Sequence, residues 1–430
     1  MKKKVLAVAA LASAVAVQCA GAKTLEDVLK EKGVITEADY QEVTKSKPVT
    51  YTLGKGFTFT TPDEKFQLNF GGRMQFRYTF TDFDVNNAGA TTKSDLSQWD
   101  VKRIRLISQG YAYTKDLTYK LELDARALAS STNAKGLIET YLNYRFIDEA
   151  QLKVGQMKTP FSRQELTSDG ALQFVDRSIV VDAFKPTYDI GAMLNGRIAD
   201  GLAYYYAGVY GGAGQSTTRN TNDNLFVARA VVNPLGDLPY SEADLDMTKK
   251  PLVSIGANYF YNVVNKTGAA LDVTIPNYAA TPSSTSPGSG GWLGRNFNKP
   301  GFAATNDKLD VNSYGGDLAF KWMGFSFQSE YLLGQAESKT TGGLLRAQGY
   351  YVQAGYTVLP KKLEVAMRYS YLDPDRNVKN NLVTETIGAV SYYFNKHNLK
   401  LQGDVANIHD QAAGVLKDDK QYRVQAQIIF

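Results

Sequence analysis

The sequence predicts an all-β fold, a transmembrane barrel of sixteen antiparallel strands, and three observations support this. Residues 421–430 alternate apolar side chains, such as Tyr422 and Val424, with mostly polar ones and end on Phe430. A tilted strand of about 9–11 residues crosses the hydrocarbon layer with one face toward lipid and the other toward water. Beyond the amino terminus, no segment approaches the roughly 18 consecutive apolar residues of a spanning helix. The chain also has 27 tyrosines and 20 phenylalanines, residues that form aromatic girdles at membrane interfaces. An edge strand of a secreted β-sandwich would alternate similarly but would not need a girdle.

The amino terminus carries the pattern of an export signal. Residues 2–4 are lysines, an apolar run covers residues 5–17, and residues 20–22 read Ala-Gly-Ala, a small-x-small cleavage site. We therefore expect residues 1–22 to be a signal peptide. The single cysteine, Cys19, lies within it, so the mature chain is expected to have neither disulfides nor thiol chemistry.

Residues 23–62 are expected to form a periplasmic helical hairpin followed by a linker. Thr24 and Thr36 each precede an acidic residue by three positions, which is the spacing of an amino-terminal capping box. Gly33 is placed to end the first helix. The hairpin is predicted over residues 25–47, and a threonine-rich linker leads from it into the strands.

Residues 63–430 are expected to form the barrel. Alternating segments predict strands at 66–80, 101–113, 117–125, 137–146, 150–156, 189–198, 202–211, 225–233, 251–261, 312–321, 325–335, 347–358, 363–372, 385–394, 399–407 and 421–430. Connections after even-numbered strands are mostly short and those after odd-numbered strands mostly long, as for the periplasmic turns and external loops of bacterial barrels. Residues 234–250 are an exception, a long even-numbered connection. Residues 262–311, rich in Ser, Thr, Pro and Gly, predict a flexible external loop.

Charged side chains identify the lumenal face of each strand, because an arginine or lysine facing lipid near the midplane would cost about 2–4 kcal/mol. The lumenal arginines selected in this way are Arg73, Arg77, Arg103, Arg105, Arg126 and Arg229. Late strands also bring acids inward, including Glu330, Glu364 and Asp404. Sixteen strands enclose an aqueous channel, and rings of arginine and lysine favour anions. The alternative left open is that lumenal arginines and acids pair with each other, as in a weakly selective channel.

The connection between the fifth and sixth strands, residues 157–188, is expected to fold into the barrel. It carries many large apolar residues for an external loop, namely Phe161, Leu166, Leu172, Phe174, Val175 and Phe184. Burying them against the wall would set the narrowest point of the pore. The basic residues that the loop would bring there are Lys158, Arg163, Arg177 and Lys185.

Short blocks in this region carry a family resemblance: Val-Gly-Gln-Met-Lys-Thr-Pro-Phe-Ser at 154–162, Glu-Leu-Thr-Ser at 165–168 and Phe-Val-Asp-Arg-Ser at 174–178. With their spacing, they closely resemble the constriction segment of the phosphate-selective porin O and P family. Lys102, Arg103 and Arg105 before Leu106 also resemble that family, as do residues 120–124 and 31–37. The resemblance covers essentially the whole mature chain.

The resemblance implies a homotrimeric barrel in the bacterial outer membrane that takes up phosphate or related oxyanions past an inward-folded third loop. By position in the matching blocks, it implies constriction residues Lys158, Arg163 and Arg177 and wall residues Arg103 and Arg105. It also implies that Phe430 is the terminal aromatic recognised by the barrel assembly machinery. The chain departs from the near-continuous arginine ladder of characterised members, which leaves both a phosphate-selective and a general porin open.

Two other classes of function are weighed against a channel. An enzyme is not expected, because the only histidines, His397 and His409, lie in no nucleophile or metal-ligand motif. The Asp-x-Asp-x-Asn segments at 82–86 and 373–377 lack the glycine and terminal glutamate of a calcium loop, so no metal or cofactor is predicted. A surface adhesive or structural barrel acting through residues 262–311 is the other alternative. The expected partners are small inorganic anions and outer-membrane lipid, without nucleic acid.

Overall fold

The computed structural model describes residues 25–40, 49–84, 95–129, 135–219, 221–267, 270–271, 277–283, 286–296, 299, 301–302, 306–411 and 417–430. The chain divides into two compact units between Val49 and Thr50. Of the helices in the described residues, none is long and apolar enough to cross a membrane.

The amino-terminal unit contains helix α1, Leu25–Glu31. The chain turns at Gly33, whose φ of +66° lies in the left-handed region that glycine adopts without strain. A second helical stretch follows Thr36, whose hydroxyl accepts the Asp39 N–H at 3.2 Å, while the Asp39 carboxylate accepts the Thr36 N–H at 2.9 Å. These contacts confirm the predicted capping box at Thr36 and the helix stop at Gly33. Thr24 and the end of the second helix lie outside the described residues.

Of the nineteen strands in the described residues, sixteen form the antiparallel wall of the barrel unit. They are β1 (Phe66–Asp82), β2 (Leu96–Ala112), β3 (Thr114–Asp124), β4 (Leu137–Ile147), β5 (Ala150–Lys158), β6 (Tyr188–Ile198), β7 (Ala203–Tyr210), β8 (Leu225–Val232), β9 (Leu252–Thr267), β10 (Asn306–Trp322), β11 (Phe325–Ser338), β12 (Leu344–Leu359), β13 (Leu363–Asp373), β14 (Val383–Asn395), β15 (Leu399–Asp410) and β16 (Lys417–Ile429). Strand β16 pairs with β1 in a register that runs from Lys420 opposite Asp82 to Ile429 opposite Arg73. This pairing closes the barrel, and the predicted sixteen-stranded fold is confirmed.

The connections carry several short elements. They are helices α2 (Ala125–Leu128), α3 (Arg163–Leu166) and α4 (Ile179–Phe184), the 3-10 turns Asp169–Ala171, Ala199–Gly201 and Asn277–Ala279, and the short strands Val49–Thr52, Gly56–Thr60 and Ala270–Leu271. Each predicted barrel strand corresponds to an observed one, and the differences lie at the strand ends.

The largest of these differences concerns residues 262–311, which were predicted to form a flexible external loop. Strands β9 and β10 continue into this segment and pair as far as Thr267 opposite Asn306. Further along, Tyr278 and Trp292 are fully buried, and their rings stack at 6.5 Å. The predicted bounds of the loop were therefore wrong, because cross-strand pairing extends both strands into the segment, and its described middle part packs through buried aromatic rings.

The carboxyl terminus is fixed inside the sheet. The backbone of Phe430 exchanges two hydrogen bonds with Gly72, at 2.7 and 3.0 Å. A side chain on Gly72 would lie only 2.9 Å from the Phe430 ring, so this close approach requires glycine. Beyond this point strand Gly56–Thr60 takes over the edge of β1, with Phe57 opposite Phe70. Part of the segment predicted to be a linker is thus a strand that extends the sheet past the last residue.

Candidate functional site

The connection between β5 and β6, residues 159–187, folds into the lumen as predicted. Its phenylalanines Phe161, Phe174 and Phe184 are at most 1% exposed. Phe161 meets Phe260 of β9 edge to face at 5.0 Å, and Phe184 stacks on Trp292 at 6.1 Å. Burial of each such ring stabilises the docked loop by about 1.5–3 kcal/mol. The loop therefore packs its apolar side against one half of the barrel wall.

Acids of the late strands bind the same side of the loop. The Glu330 carboxylate accepts the Ser162 hydroxyl at 3.0 Å and the backbone N–H groups of Arg163 and Gln164 at 3.1 and 2.7 Å. Asp404 accepts the Val175 N–H at 3.0 Å, and Glu364 accepts the Gln173 side-chain amide at 2.6 Å. Buried N–H groups need acceptors, and the loop has no sheet partner to provide them. These lumenal acids therefore serve as acceptors for the loop.

The exceptional long connection, residues 233–251 between β8 and β9, also enters the barrel. Glu242 accepts the Gln173 N–H and the Gln164 side-chain amide, both at 2.7 Å. Lys321 donates to Ser241 at 2.6 Å and to the Ala243 carbonyl at 3.0 Å. This connection is therefore long because part of it enters the barrel from the short-turn end. There it supports the loop of residues 159–187.

Two of the predicted site residues lie on this packed side of the loop. The Arg163 guanidinium is 3.0 Å from the Ser254 hydroxyl and 4.8 Å from the centre of the Tyr240 ring. Arg229 lies 2.6 Å from Asp317 and donates to the Phe161 carbonyl at 3.0 Å. In the structure both side chains therefore anchor the loop.

The tip of the loop is held by arginines of β1 and β16. Arg77 grips the Asp176 carboxylate with two hydrogen bonds, at 2.7 and 3.0 Å, and Arg423 reaches the same carboxylate at 3.2 Å. Arg423 also binds Asp404 at 2.7 and 3.0 Å. Burial favours protonation of Asp176, but the charges of Arg77, Lys102 and Arg423 outweigh it and lower the pKa of Asp176 well below its usual range.

The opposite side of the loop faces three adjoining cavities, which are lined by residues of β1 to β7 and of β14 to β16. An outer cavity of about 490 Å³ shares Arg103, Arg177 and Lys185 with a middle cavity of about 300 Å³. The middle cavity shares Asp169 and Tyr188 with an inner cavity of about 220 Å³. We call this series the basic path. Its basic side chains are Arg73, Arg77, Lys102, Arg103, Arg105, Lys120, Lys135, Lys153, Lys158, Arg177, Lys185 and Arg423.

The basic path also contains carboxylates. They are Asp100, Glu122, Glu139, Glu165, Asp169, Asp176, Asp182 and Glu385. The middle cavity has the clearest imbalance, with five basic residues against two acids. The basic path is therefore a mixed but positively biased lining, and the bias is concentrated where the loop meets the wall.

Ion pairs fix the loop's own basic residues in the middle cavity. Arg177 lies 3.0 Å from Glu165 and 2.7 Å from Asp169, and Lys185 lies 3.0 Å from Glu165 and 2.7 Å from Asp182. Burial lowers the pKa of Lys185, but Asp182 and Glu165 raise it beyond its ordinary value. Lys158 donates to the carbonyls of Glu165 and Thr167 at 2.5 and 3.2 Å, where it also lines the inner cavity.

The predicted wall residues gather around the loop. Arg73 lies 3.8 Å from Glu122 and donates to the Ser168 hydroxyl at 2.8 Å. Arg105 lies 3.3 Å from Asp124. Arg126 lies in α2 after β3, pairs with Asp100 at 2.9 Å and is about half exposed. The structure thus brings Arg73, Arg77, Arg103, Arg105, Lys158, Arg177 and Lys185 to the basic path, while Arg126 lies outside the three cavities.

One residue of the basic path, Lys102, does not follow the alternation of inward and outward side chains along its strand. In the pairing of β1 with β2, Gln75 lies opposite Arg103 but Phe76 lies opposite Val101, so Lys102 is the extra residue of a β-bulge. The bulge places Lys102 in the outer cavity beside Asp176. Alternation from Arg103 would have turned it toward lipid, and only its presence in the family-like segment marked it. Lys120 and Lys153 also line the inner cavity, and their alternation with apolar neighbours was the available signal.

A closed barrel with a basic path beside an inward-folded loop defines an outer-membrane porin. The chain matches the family model of the phosphate-selective porin O and P over residues 68–430, and it belongs to that family. Porin O of Pseudomonas aeruginosa is 25% identical over 362 residues, which cover 81% of this chain and 76% of that protein.

Solved porin structures share the fold. The anion-selective porin from Comamonas acidovorans superimposes with a TM-score of 0.52 at 11% identity, covering 84% of this chain and 99% of that one. OmpT, an outer membrane protein of Vibrio cholerae, gives a TM-score of 0.52 at 10% identity, covering 84% and 98%. At such identities the likeness concerns the fold alone.

Proposed function

We propose that the protein is an anion-preferring channel for passive uptake of phosphate or related oxyanions. The observation that carries the proposal is the excess of basic over acidic side chains on the open side of the loop, twelve against eight. The late-strand acids Glu330, Glu364 and Asp404 bind the packed side, whereas the open side is lined by more basic than acidic groups. The description of the matched family, phosphate-selective porin O and P, agrees with this assignment.

Arginine is suited to this task because its planar guanidinium offers paired donors to an oxyanion. A charge-assisted hydrogen bond contributes about 1.5–3 kcal/mol, so a few guanidinium groups are enough to draw a phosphate out of bulk water. Passage also requires release. Carboxylates lie between the basic groups along the path, and they weaken the binding of an anion at each site. An anion can therefore move from one site to the next.

Family membership supports further parts of the proposal. We infer a homotrimer, an exported precursor with a signal peptide at residues 1–22, a periplasmic helical unit, and recognition of Phe430 by the barrel assembly machinery. The same membership supports a channel and not an enzyme. Trp292, the aromatic anchor that an adhesive loop would present to a partner, is fully buried, which favours the channel over an adhesin.

The test is the reversal potential of purified protein in a planar bilayer under a potassium chloride gradient. We expect a sign that indicates anion preference, and we expect phosphate to reduce the chloride current. R103A and R105A should each lower the anion preference. R145A is the matched control, because Arg145 lies at the short-turn end and its side chain is 44% exposed. A cation-selective reversal potential would refute the proposal, and anion preference without phosphate block would leave the general porin.

A further inference from the structure

One carboxylate occupies the centre of the arginine cluster in the basic path. Asp169 lies 2.9 Å from Arg103 and 2.7 Å from Arg177, and Arg73 and Arg105 approach it to 3.6 and 3.9 Å. Its side chain is only 6% exposed. Four guanidinium groups around one carboxylate make the arrangement that would bind a free oxyanion.

We propose that Asp169 is a tethered counter-anion, and that a permeating oxyanion passes by replacing its carboxylate among these guanidinium groups. The inference rests on the proposed anion-channel function and names the residue that sets how tightly the channel holds an anion. No covalent bond is made or broken in the exchange, because one set of charge-assisted hydrogen bonds replaces another.

The cluster has donors to spare for an incoming anion. Among the described residues, Nε and Nη1 of Arg105 and Nε of Arg73 have no hydrogen-bond partner, although carboxylates lie within ion-pair distance. Both arginines are buried, at 8% and 6% exposure. A buried donor without an acceptor is unfavourable, and an oxyanion has enough acceptor oxygens to correct this.

The surroundings of Asp169 allow the exchange. The adjoining middle cavity has about 300 Å³, which holds a small oxyanion with several waters, since water takes about 30 Å³ in the liquid. Asp169 begins a short 3-10 turn in the loop, so its side chain can shift without breaking a strand ladder. Lys135 and Lys185 on the cavity wall provide the next positive charges along the path.

The tethered carboxylate explains how anions can pass a strongly basic cluster without being trapped there. A tethered carboxylate competes at an effective concentration of about millimolar or higher, so an incoming anion gains less than it would at an empty cluster. An oxyanion with two charges and four oxygens displaces it more readily than chloride does. The class of ligand that the cluster favours is therefore a small tetrahedral dianion, with hydrogen phosphate as the probe.

The experiment measures the concentration of inorganic phosphate that halves the chloride current. D169N keeps the size of the side chain but removes the competing charge, and we expect it to lower that concentration at least tenfold and to raise the anion preference. D169E retains the charge and should behave as the wild type. D200N removes the same charge from the fully exposed Asp200 of a short turn and should change neither quantity.

A second measurement uses acetate, which has the shape of the missing side chain. In D169A we expect acetate to reduce the chloride current more than it does in the wild type. Unchanged or weaker phosphate block in D169N would overturn the inference, and so would the absence of any added effect of acetate in D169A. If the wild type itself prefers cations, the proposed function fails. If the wild type prefers anions but D169N leaves the block unchanged, only the tethered counter-anion fails.

Discussion

The contact between Glu330 and the loop predicts how firmly the constriction is held. The carboxylate accepts the Gln164 N–H and the Ser162 and Tyr351 hydroxyls through Oε1, and the Arg163 N–H through Oε2. In E330Q the amide oxygen can keep the bonds of Oε1. The amide nitrogen then takes the place of Oε2 and faces the Arg163 N–H, so two donors oppose each other.

The free-energy cost of E330Q follows from this one donor–donor contact. One charge-assisted hydrogen bond is lost and one buried N–H is left without an acceptor, which costs about 1.5–3 kcal/mol. Since every 1.4 kcal/mol changes an equilibrium tenfold, the population of barrels with a detached loop should rise about 10- to 100-fold. The aromatic contacts of Phe161 and Phe184 remain, so the barrel itself should assemble normally.

Single-channel recording in a planar bilayer measures this population. We expect E330Q to show brief excursions to higher conductance and lower anion preference, at least ten times as often as the wild type. E337Q is the matched control, because Glu337 lies on the same strand but is exposed. If E330Q assembles into a heat-modifiable barrel and its recordings equal those of the wild type, the late-strand acids do not hold the loop.

Three further predictions follow from individual contacts. K102A should lower the anion preference in reversal-potential measurements, because the bulge turns Lys102 into the outer cavity, whereas K339A, at an exposed position, should not. W292A should destabilise the mouth by about 3–5 kcal/mol, as for other buried aromatic deletions, and lower the temperature of the heat-modified gel shift, while W99A, on the exposed outer face, should leave it nearly unchanged. Burial favours protonation of Asp169, but its arginine neighbours outweigh it and lower its pKa well below the ordinary value. Its stabilising charge is therefore present in full above the ordinary pKa of about 4 and lost only as pH falls through the lowered native pKa, so the reversal potential should stay constant from about pH 7 to about pH 5, and a transition within that window would contradict the assignment.

The strands could be predicted because a lipid face and a water face impose a period of two over seven or more residues. Their ends were harder to predict. Residues 262–267 of β9 and 306–311 of β10 pair with each other, but in the sequence they merge with a polar, glycine-rich segment. The bulge at Lys102 depends on the register of two strands, which no single strand reveals.

The inward fold of the loop was also predictable, because an external loop would not expose six large apolar residues. Which half of the lumen it fills was not, since Phe161 and Phe184 meet rings of residues far along the chain, Phe260 and Trp292. The contacts that residues 233–251 make with the loop also join residues far apart in the chain. In the sequence, this segment could therefore be recognised only as an unusually long turn.

This choice of side determines which charges govern permeation. Alternation shows that a side chain points inward, but an inward-pointing residue lines a pore only where the lumen stays open. Arg229 and Glu330 are both inward, yet each bonds a backbone group of the docked loop and neither lines the basic path. Arg103, equally inward, faces the open side and joins two of its cavities. A barrel that carries both acids and bases in its lumen can therefore still present an anion-preferring route, because only the groups on the open side meet the permeating ion, and there twelve basic side chains stand against eight carboxylates.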